Sequence, residues 1–263
     1  MPLPERPWPA VLFCALALAG CGKGTVKGGP LAVAPVYTVR DDASIRQRVG
    51  YQDQITLASQ AIRGGDLDAA EKRLRAAIKI DGARADAYML QAGIAARRGN
   101  SAEAGQLYAK AAQQAPERGD VLNNYGAWLC TNGREAESLA LFDRAAQSPG
   151  YASPGSALAN AGGCALDAGQ PERAARDLKR ALELEPTNAY ALESMARSEY
   201  AQGRYMAARA FSERRLAAAP ATRSVLQLAS QIEARLGDNV ASGRYLKRIH
   251  DEFPQDAAPN PRG

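Results

Sequence analysis

The chain has 263 residues, of which 46% are apolar and 23% are charged, and 33 Lys and Arg against 28 Asp and Glu give a net charge of +5. This is an ordinary globular composition, long enough to bury a substantial core, and its abundant Ala and Leu favour helices over strands. Acidic residues lie between the basic ones and no basic stripe carries interleaved aromatics, which argues against nucleic-acid binding.

Residues 1–20 have the pattern of a signal peptide. Arg6 and the free amine precede an apolar run, Trp8–Ala19, that is too short to span a bilayer as a permanent helix. The run ends at Leu18-Ala19-Gly20-Cys21, which resembles the lipobox of bacterial lipoproteins.

The lipobox resemblance implies that the thiol of Cys21 is diacylated and that cleavage makes it the first residue of the mature protein. Gly22 rather than Asp follows it, which in lipoproteins points to the outer membrane and not to retention at the inner one. We therefore expect a lipid-anchored protein on the periplasmic face of the outer membrane. An ordinary signal peptide with a chance cysteine is the alternative.

Residues 21–50 are predicted to form the lipidated N-terminus and a flexible tether, because the segment is rich in Gly, Pro and Val up to Arg40 and lacks a helical period. Asp41 and Asp42, followed by Ala43, offer an N-cap for a first helical run.

From residue 51 the chain repeats at a fixed period. The markers are Gly65, Gly99 and Gly133, then Gly169, Gly203 and Gly237, each 34 residues apart within its triplet. Small residues recur seven before and five after each glycine, and a large apolar residue recurs nine after it at Leu74, Tyr108, Phe142, Leu178 and Leu246. A helical period of 34 is the signature of the tetratricopeptide repeat, a pair of antiparallel helices.

The sequence thus predicts an all-α superhelical solenoid of six tetratricopeptide repeats over residues 51–254. The repeats are 51–84, 85–118, 119–152, 155–188, 189–222 and 223–254, with two extra residues between the third and the fourth. Residues 255–263, with two prolines and no period, are predicted to be a disordered tail.

Catalytic chemistry is not predicted. His250 is the only histidine, which removes a histidine-based triad and a multi-histidine metal site. No Walker loop or dinucleotide glycine pattern is present, and no carboxylate pair stands out. We expect no enzyme activity, no cofactor, no metal and no small-molecule substrate.

Binding is instead predicted in a groove lined by the first helix of each repeat. The candidate partner-binding residues are Ile55, Ser59, Ile62, Met89, Arg97, Asn123 and Thr131. This set is too apolar for the carboxylate clamp of chaperone-type repeats, and it suits an extended or helical peptide. The alternative is that these apolar residues pack between repeats.

Four cysteines reduce to two, because Cys14 leaves with the signal and Cys21 carries lipid. Cys130 and Cys164 lie on the first helices of neighbouring repeats, and an exported protein in an oxidising compartment is expected to pair them. Two buried free thiols are the alternative.

The third repeat carries a more specific marker. Leu122-Asn123-Asn124-Tyr125-Gly126-Ala127-Trp128-Leu129-Cys130 with Gly133-Arg134, and a cysteine one repeat later, resemble the PilF/PilW family of type IV pilus biogenesis lipoproteins. The resemblance implies a pilotin, which binds the pilus secretin in the periplasm and promotes its outer-membrane localisation and multimerisation, and so supports twitching motility. The alternative is a lipoprotein scaffold of outer-membrane protein assembly or of peptidoglycan-synthesis regulation.

Overall fold

The computed structural model describes residues 42–254, and these form six antiparallel pairs of α-helices without a strand. The signal peptide, the lipidation residue Cys21 and the predicted tail 255–263 lie outside the described residues. The helices are α1 (Ala43–Arg63), α2 (Leu67–Ile80), α3 (Ala85–Arg97), α4 (Ser101–Gln114), α5 (Gly119–Thr131), α6 (Glu135–Gln147), α7 (Pro154–Asp167), α8 (Pro171–Leu184), α9 (Ala189–Ala201), α10 (Tyr205–Ala218), α11 (Arg223–Leu236) and α12 (Asn239–Glu252). The predicted all-α solenoid is confirmed.

The turn inside each pair depends on the repeated glycine. Gly133 has a φ of 73°, a left-handed conformation that a residue with a Cβ rarely adopts, and the other five repeat glycines share it. This lets the chain reverse within a few residues and start the second helix at once, as Gly133 does between α5 and α6. The 34-residue period of glycine is therefore a period of helix reversals.

Small residues lie where the two helices of a pair cross. A Cβ on Gly126 would lie 2.9 Å from Phe142, and one on Gly162 would lie 2.5 Å from Leu178. In the third pair, the hydroxyl of Ser138 also donates to the carbonyl oxygen of Gly126 at 2.8 Å. A larger side chain at these positions would force the helices apart.

In several repeats, the large apolar residue of the second helix is buried and joins one pair to the next. Leu74, Phe142 and Leu178 are fully buried, and Phe142 packs with Cys164 on the first helix of the following pair. Leu246 of α12, in contrast, is 55% exposed. No further pair follows α12 in the described residues, so nothing there covers this side chain.

The first helices form the inner side of the stack. Contacts link α3 with α5, α5 with α7, α7 with α9 and α9 with α11, whereas second helices make no comparable contacts with one another in the described part. In a curved stack of repeats, the helices on the inner side lie closer together than those on the outer side, so the helices that contact each other across successive repeats are the inner ones. A ligand that follows the inner side therefore meets α1, α3, α5, α7, α9 and α11.

The predicted tether extends too far, because α1 begins at Ala43 and not after residue 50. Asp42 caps the helix by accepting a hydrogen bond from the Ile45 N–H at 2.8 Å. The side-chain amide of Gln47 donates to the carbonyl oxygen of Ile80 at 2.8 Å, which ties the extra turns to the end of α2. The repeat period could not reveal these turns because they belong to no repeat.

Candidate functional site

A cavity of about 190 Å³ opens on the inner side of the first three repeats. Three first helices and one second helix contribute to it. Its lining residues are Ile62 of α1, Met89, Leu90, Gly93, Ile94 and Arg97 of α3, Tyr108 of α4 and Asn124 of α5. The walls are mainly apolar, and none of the lining side chains is acidic.

Helix α3 supplies the floor of the cavity. Met89, Gly93 and Arg97 are spaced by four residues and so share one face of the helix. Gly93 leaves the space open, since the nearest side-chain atom to a Cβ built on it is the Tyr108 hydroxyl oxygen, at 3.9 Å. The cavity thus depends on the absence of a side chain in the middle of α3.

Two adjacent arginines at the end of α3 have different roles. Arg98 bridges to the first repeat, with ion pairs to Asp68 at 2.5 Å and to Glu71 at 2.7 Å. Arg97 is exposed at the cavity and has no ion pair with any residue between 42 and 254. Arg98 therefore stabilises the stack, and Arg97 is available to a ligand.

Three aromatic rings pack together where α4 meets α5, and Tyr108 is the one of them that lines the cavity. The ring centroids of Tyr108 and Tyr125 lie 6.3 Å apart, and those of Tyr125 and Trp128 lie 6.1 Å apart. Trp128 is held against Gly105, where a Cβ would come within 2.4 Å of the indole. Burial raises the pKa of Tyr108, and the nearby charge of Arg97 partly opposes that rise. The phenol therefore stays neutral at physiological pH and offers a hydroxyl to the cavity.

Neighbouring asparagines on α5 point in two directions. Asn124 donates to the backbone carbonyl of Asp120 at 2.7 Å and lies 3.6 Å from the Met89 sulfur, toward α3. Asn123 accepts a hydrogen bond of 3.0 Å from the side-chain amide of Asn160 on α7. The cavity residue is thus Asn124, and Asn123 lies at the next junction along the inner side.

The predicted groove residues separate into three groups. Ile62, Met89 and Arg97 line the cavity. Ile55 and Ser59 are half-buried and do not line it, and Ile55 packs against the apolar core of the first repeat. Thr131 is exposed, and its hydroxyl donates to the Ala127 and Trp128 carbonyl oxygens of its own helix. The alternative of repeat packing therefore describes Ile55.

The sequence analysis did not assign Tyr108 and Asn124 to the site, although both are polar residues that line the cavity. Tyr108 occupies the position of the buried apolar residue on a second helix, so the pattern assigned it to the core. Its hydroxyl group was the available signal, since a buried tyrosine hydroxyl needs a polar neighbour. Asn124 stands one residue from Asn123, and one residue corresponds to a rotation of about 100° around a helix.

A disulfide joins Cys130 of α5 to Cys164 of α7, with the two Cα atoms 5.9 Å apart. Cys164 is buried in the cluster that contains Phe142. The bond lies on the same two helices as the Asn123–Asn160 hydrogen bond. The third and fourth repeats are therefore held together on the inner side, directly beyond the cavity.

The inner side changes character in the fifth repeat. Tyr190 is 44% exposed and covers Gly163 of α7, and Arg197 forms an ion pair with Asp167 at 3.0 Å. Tyr200 lies against Tyr205, with ring centroids 5.5 Å apart. Arg197 is therefore already paired with Asp167, unlike Arg97 in the second repeat. The fifth repeat thus offers an aromatic and polar surface without an unpaired arginine at Arg197.

Two other kinds of feature are absent from the described residues. Between residues 42 and 254, no group of three or more His, Cys, Asp or Glu side chains is arranged to hold a metal ion. No helix in that range combines the length and the apolar content needed to cross a membrane.

Family models described as tetratricopeptide repeat match residues 55–119 and 165–232, which together make up just over half of the chain. Curated protein sequences include no match. Among solved structures, PilW, described as a widely conserved type IV pilus biogenesis factor, is 28% identical with a TM-score of 0.71. That match covers 79% of this chain and 95% of PilW.

Two further structures share the fold. PilF of Pseudomonas aeruginosa is 22% identical with a TM-score of 0.71, over 80% of this chain and 94% of PilF. A chain of the APC/C Cut9–Hcn1 hetero-tetramer is 12% identical with a TM-score of 0.69, over 82% of this chain and 44% of that one. At these identities the likeness concerns the arrangement of helices alone.

Proposed function

Because this chain belongs to the tetratricopeptide-repeat family and is a PilF/PilW-like member of it, we propose that it supports type IV pilus biogenesis as a pilotin. In this role it binds the secretin subunit in the periplasm and promotes its localisation and multimerisation at the outer membrane. Lipid on Cys21 anchors it to that membrane. Tetratricopeptide scaffolds are typically non-enzymatic, and this function requires no catalysis.

One observation carries the proposal. The likeness to PilW extends over 79% of this chain and 95% of that protein at 28% identity, so it is not confined to a single repeat. PilW is described as a pilus biogenesis factor, whereas a generic repeat match would leave the process open. The lipobox pattern at Leu18–Cys21 adds the membrane location that a pilotin needs.

In this proposal the repeat solenoid and the lipid anchor have separate roles. A repeat solenoid binds a partner through the side chains on one surface, and the cavity of the first three repeats supplies such a surface here. One acyl chain gives only marginal membrane binding, and two give a stable anchor. The repeats thus select the secretin, and the lipid delivers it.

A pair of cysteine substitutions tests the lipid anchor. Cys21→Ala should leave the repeats folded but release the protein into the periplasm, with secretin multimers scarce or misplaced. The measurement is fractionation of the envelope with immunoblotting for heat-resistant secretin multimers. Cys14→Ala is the matched control and should behave as wild type, because this residue lies within the predicted signal peptide.

The outcomes separate the alternatives. Normal secretin multimers in the Cys21→Ala strain would rule out the lipid-dependent delivery. Deletion of the gene should abolish twitching and leave porin levels unchanged. Loss of porins together with normal pili would instead favour a scaffold of outer-membrane protein assembly.

A further inference from the structure

We propose that the cavity and the Asn123–Asn160 pair together bind an extended peptide that carries a large apolar side chain and, close to it, a carboxylate. This inference rests on the proposed function in one respect, namely that the inner side of the solenoid receives the partner. It specifies the chemistry of the bound segment, which neither the fold nor the relatives supply.

The size and lining of the cavity select the apolar group. An apolar cavity of about 150 Å³ is large enough to bind benzene, and this one measures about 190 Å³ between Ile62, Met89 and Tyr108. The methionine is flexible and polarisable and makes favourable contacts with aromatic rings. A phenylalanine or leucine side chain therefore suits the space.

Arg97 selects the carboxylate. Its guanidinium group is at the cavity, and no residue between 42 and 254 forms an ion pair with it. The lining includes no acidic side chain. A basic group at that edge would meet an unpaired arginine, while a carboxylate would gain a charge-assisted hydrogen bond. The carboxylate is that of an Asp or Glu side chain within the peptide, because the lining is too apolar for the clamp that holds a chain terminus.

The Asn123–Asn160 pair is suited to bind the backbone of the peptide ligand. A single hydrogen bond of 3.0 Å joins Asn160 Nδ2 to Asn123 Oδ1. Asn123 Nδ2 and Asn160 Oδ1 then have no partner within the described part of the chain, although both residues are half-buried. One free donor beside one free acceptor matches the C=O and N–H of a peptide unit.

The spacing favours an extended conformation of the ligand. Neighbouring helices pack about 8–10 Å apart, and an extended chain advances about 3.3 Å per residue. The step from the cavity, on α3 and α5, to the asparagine pair, on α5 and α7, corresponds to about three residues. A segment of six to eight residues would then occupy both sites.

Selection from a phage-displayed library of random dodecapeptides tests the proposal, with the full mature chain as bait. Wild-type protein should enrich peptides that have Phe or Leu at a fixed offset from Asp or Glu. Arg97→Glu should replace the acidic preference with Lys or Arg at the same offset. Arg73→Glu, the same change on the outer helix α2, is the control and should select the wild-type motif.

Binding constants of one selected peptide then resolve the separate contacts. Arg97→Glu should weaken binding about tenfold or more, because it replaces an attraction with a repulsion. Gly93→Leu should abolish binding by filling the cavity, whereas Gly243→Leu in α12, where a new Cβ has open space, should not. Asn123→Ala should weaken binding of all selected peptides alike, whatever their side chains.

The two sources of the carboxylate are compared with synthetic peptides. A peptide with an internal Asp and an amidated C-terminus should bind as well as its free-acid form if the side chain is the source. Loss of binding on amidation would assign the contact to the terminus and overturn the internal side chain as its source. Equal affinity for the Asn-substituted, amidated peptide would overturn the role of Arg97.

Failure of this inference can be told from failure of the proposed function. An unchanged motif with Arg97→Glu, or no enriched peptides, would overturn the peptide proposal. Co-purification of secretin with the same variant from detergent-solubilised envelopes is scored separately. Secretin recovered at the wild-type level would then retain the pilotin function and place its contact elsewhere on the repeats.

Discussion

The junctions at the two ends of the solenoid use different chemistry. Between the first and second repeats, buried Leu74 packs against Ala87 and Ile94 of the next first helix. Between the fifth and sixth repeats, the equivalent residue is Ser212, and Arg209 instead pairs with the buried Glu233. One junction excludes water with apolar side chains, and the other buries charge and hydroxyl groups.

This difference implies that the junctions between repeats contribute unequally to the stability of the stack. A buried ion pair gains little net stability, because the loss of hydration offsets the attraction, whereas each buried leucine contributes about 1.5–3 kcal/mol. The sixth repeat also leaves Val240 and Leu246 exposed. We therefore expect the N-terminal repeats, which form the cavity, to be the stable part and the C-terminal pair to open first.

The largest expected effect compares the same repeat position at the two ends. Leu74→Ala should lower the free energy of unfolding by about 3–4 kcal/mol, since it leaves a cavity at a fully buried site. Leu246→Ala should cost less than about 1 kcal/mol, because that side chain is 55% exposed. Urea unfolding followed by circular dichroism gives both values, and equal losses would contradict the comparison.

The boundary between the two halves depends on the disulfide. The loop closed by Cys130 and Cys164 spans 34 residues, and removal of the disulfide should cost about 3 to 4 kcal/mol on the chain-entropy estimate. The double substitution to Ala avoids an unpaired thiol. Hydrogen exchange should then show the C-terminal repeats opening independently of the N-terminal ones. Uniform protection in the variant would mean that α5 and α7 stay coupled without the bond.

The charged junction can be broken or replaced. Arg209→Ala leaves the carboxylate of Glu233 buried without its partner and should lower the free energy of unfolding, because the cost of burying that charge is no longer offset by the attraction. The double variant Arg209→Met with Glu233→Leu should be close to neutral or more stable. Thermal unfolding of the two variants decides whether the pair stabilises this junction.

The smallest effect concerns a single hydrogen bond in the apolar junction. The hydroxyl of Tyr51 accepts from the Ala87 N–H at 3.1 Å, so Tyr51→Phe should cost about 1 kcal/mol. Burial raises the pKa of Tyr51 above its usual value of 10. The folded state therefore disfavours ionisation, and this contribution is complete below pH 10 and is lost as the pH rises through the raised pKa.

Comparison of wild type and Tyr51→Phe isolates that contribution, because the other tyrosines titrate in both. The stability difference between the two proteins should shrink above pH 10. A difference that stays constant with pH would show that Tyr51 is not the group responsible.

Much of the fold follows from local rules that can be applied to the sequence. Each helix pair needs a glycine where the chain reverses and a small residue where its two helices cross. These residues therefore recur once in every pair, and their period in the sequence locates the pairs. The sequence identifies Asp42 as a cap, but the repeat period places the first boundary at residue 51. The repeat period locates only the helices that recur, and the extra turns at the start of α1 do not recur in the other repeats.

The candidate site depended on tertiary structure for a different reason. The sequence predicts which helices face inward, and this brought Ile62, Met89 and Arg97 to the cavity. Whether Asn123 or Asn124 reaches it depends on a rotation of about 100°, which the pairing of α5 with both neighbours sets. Likewise, only the contacts of Arg98 with the first repeat distinguish it from Arg97. The sequence determined the repeat, its reversals and its small contacts, since these are local. The groups on the inner side that are available to a ligand could be identified only from the tertiary structure, because contacts between successive repeats decide which polar side chains already have a partner.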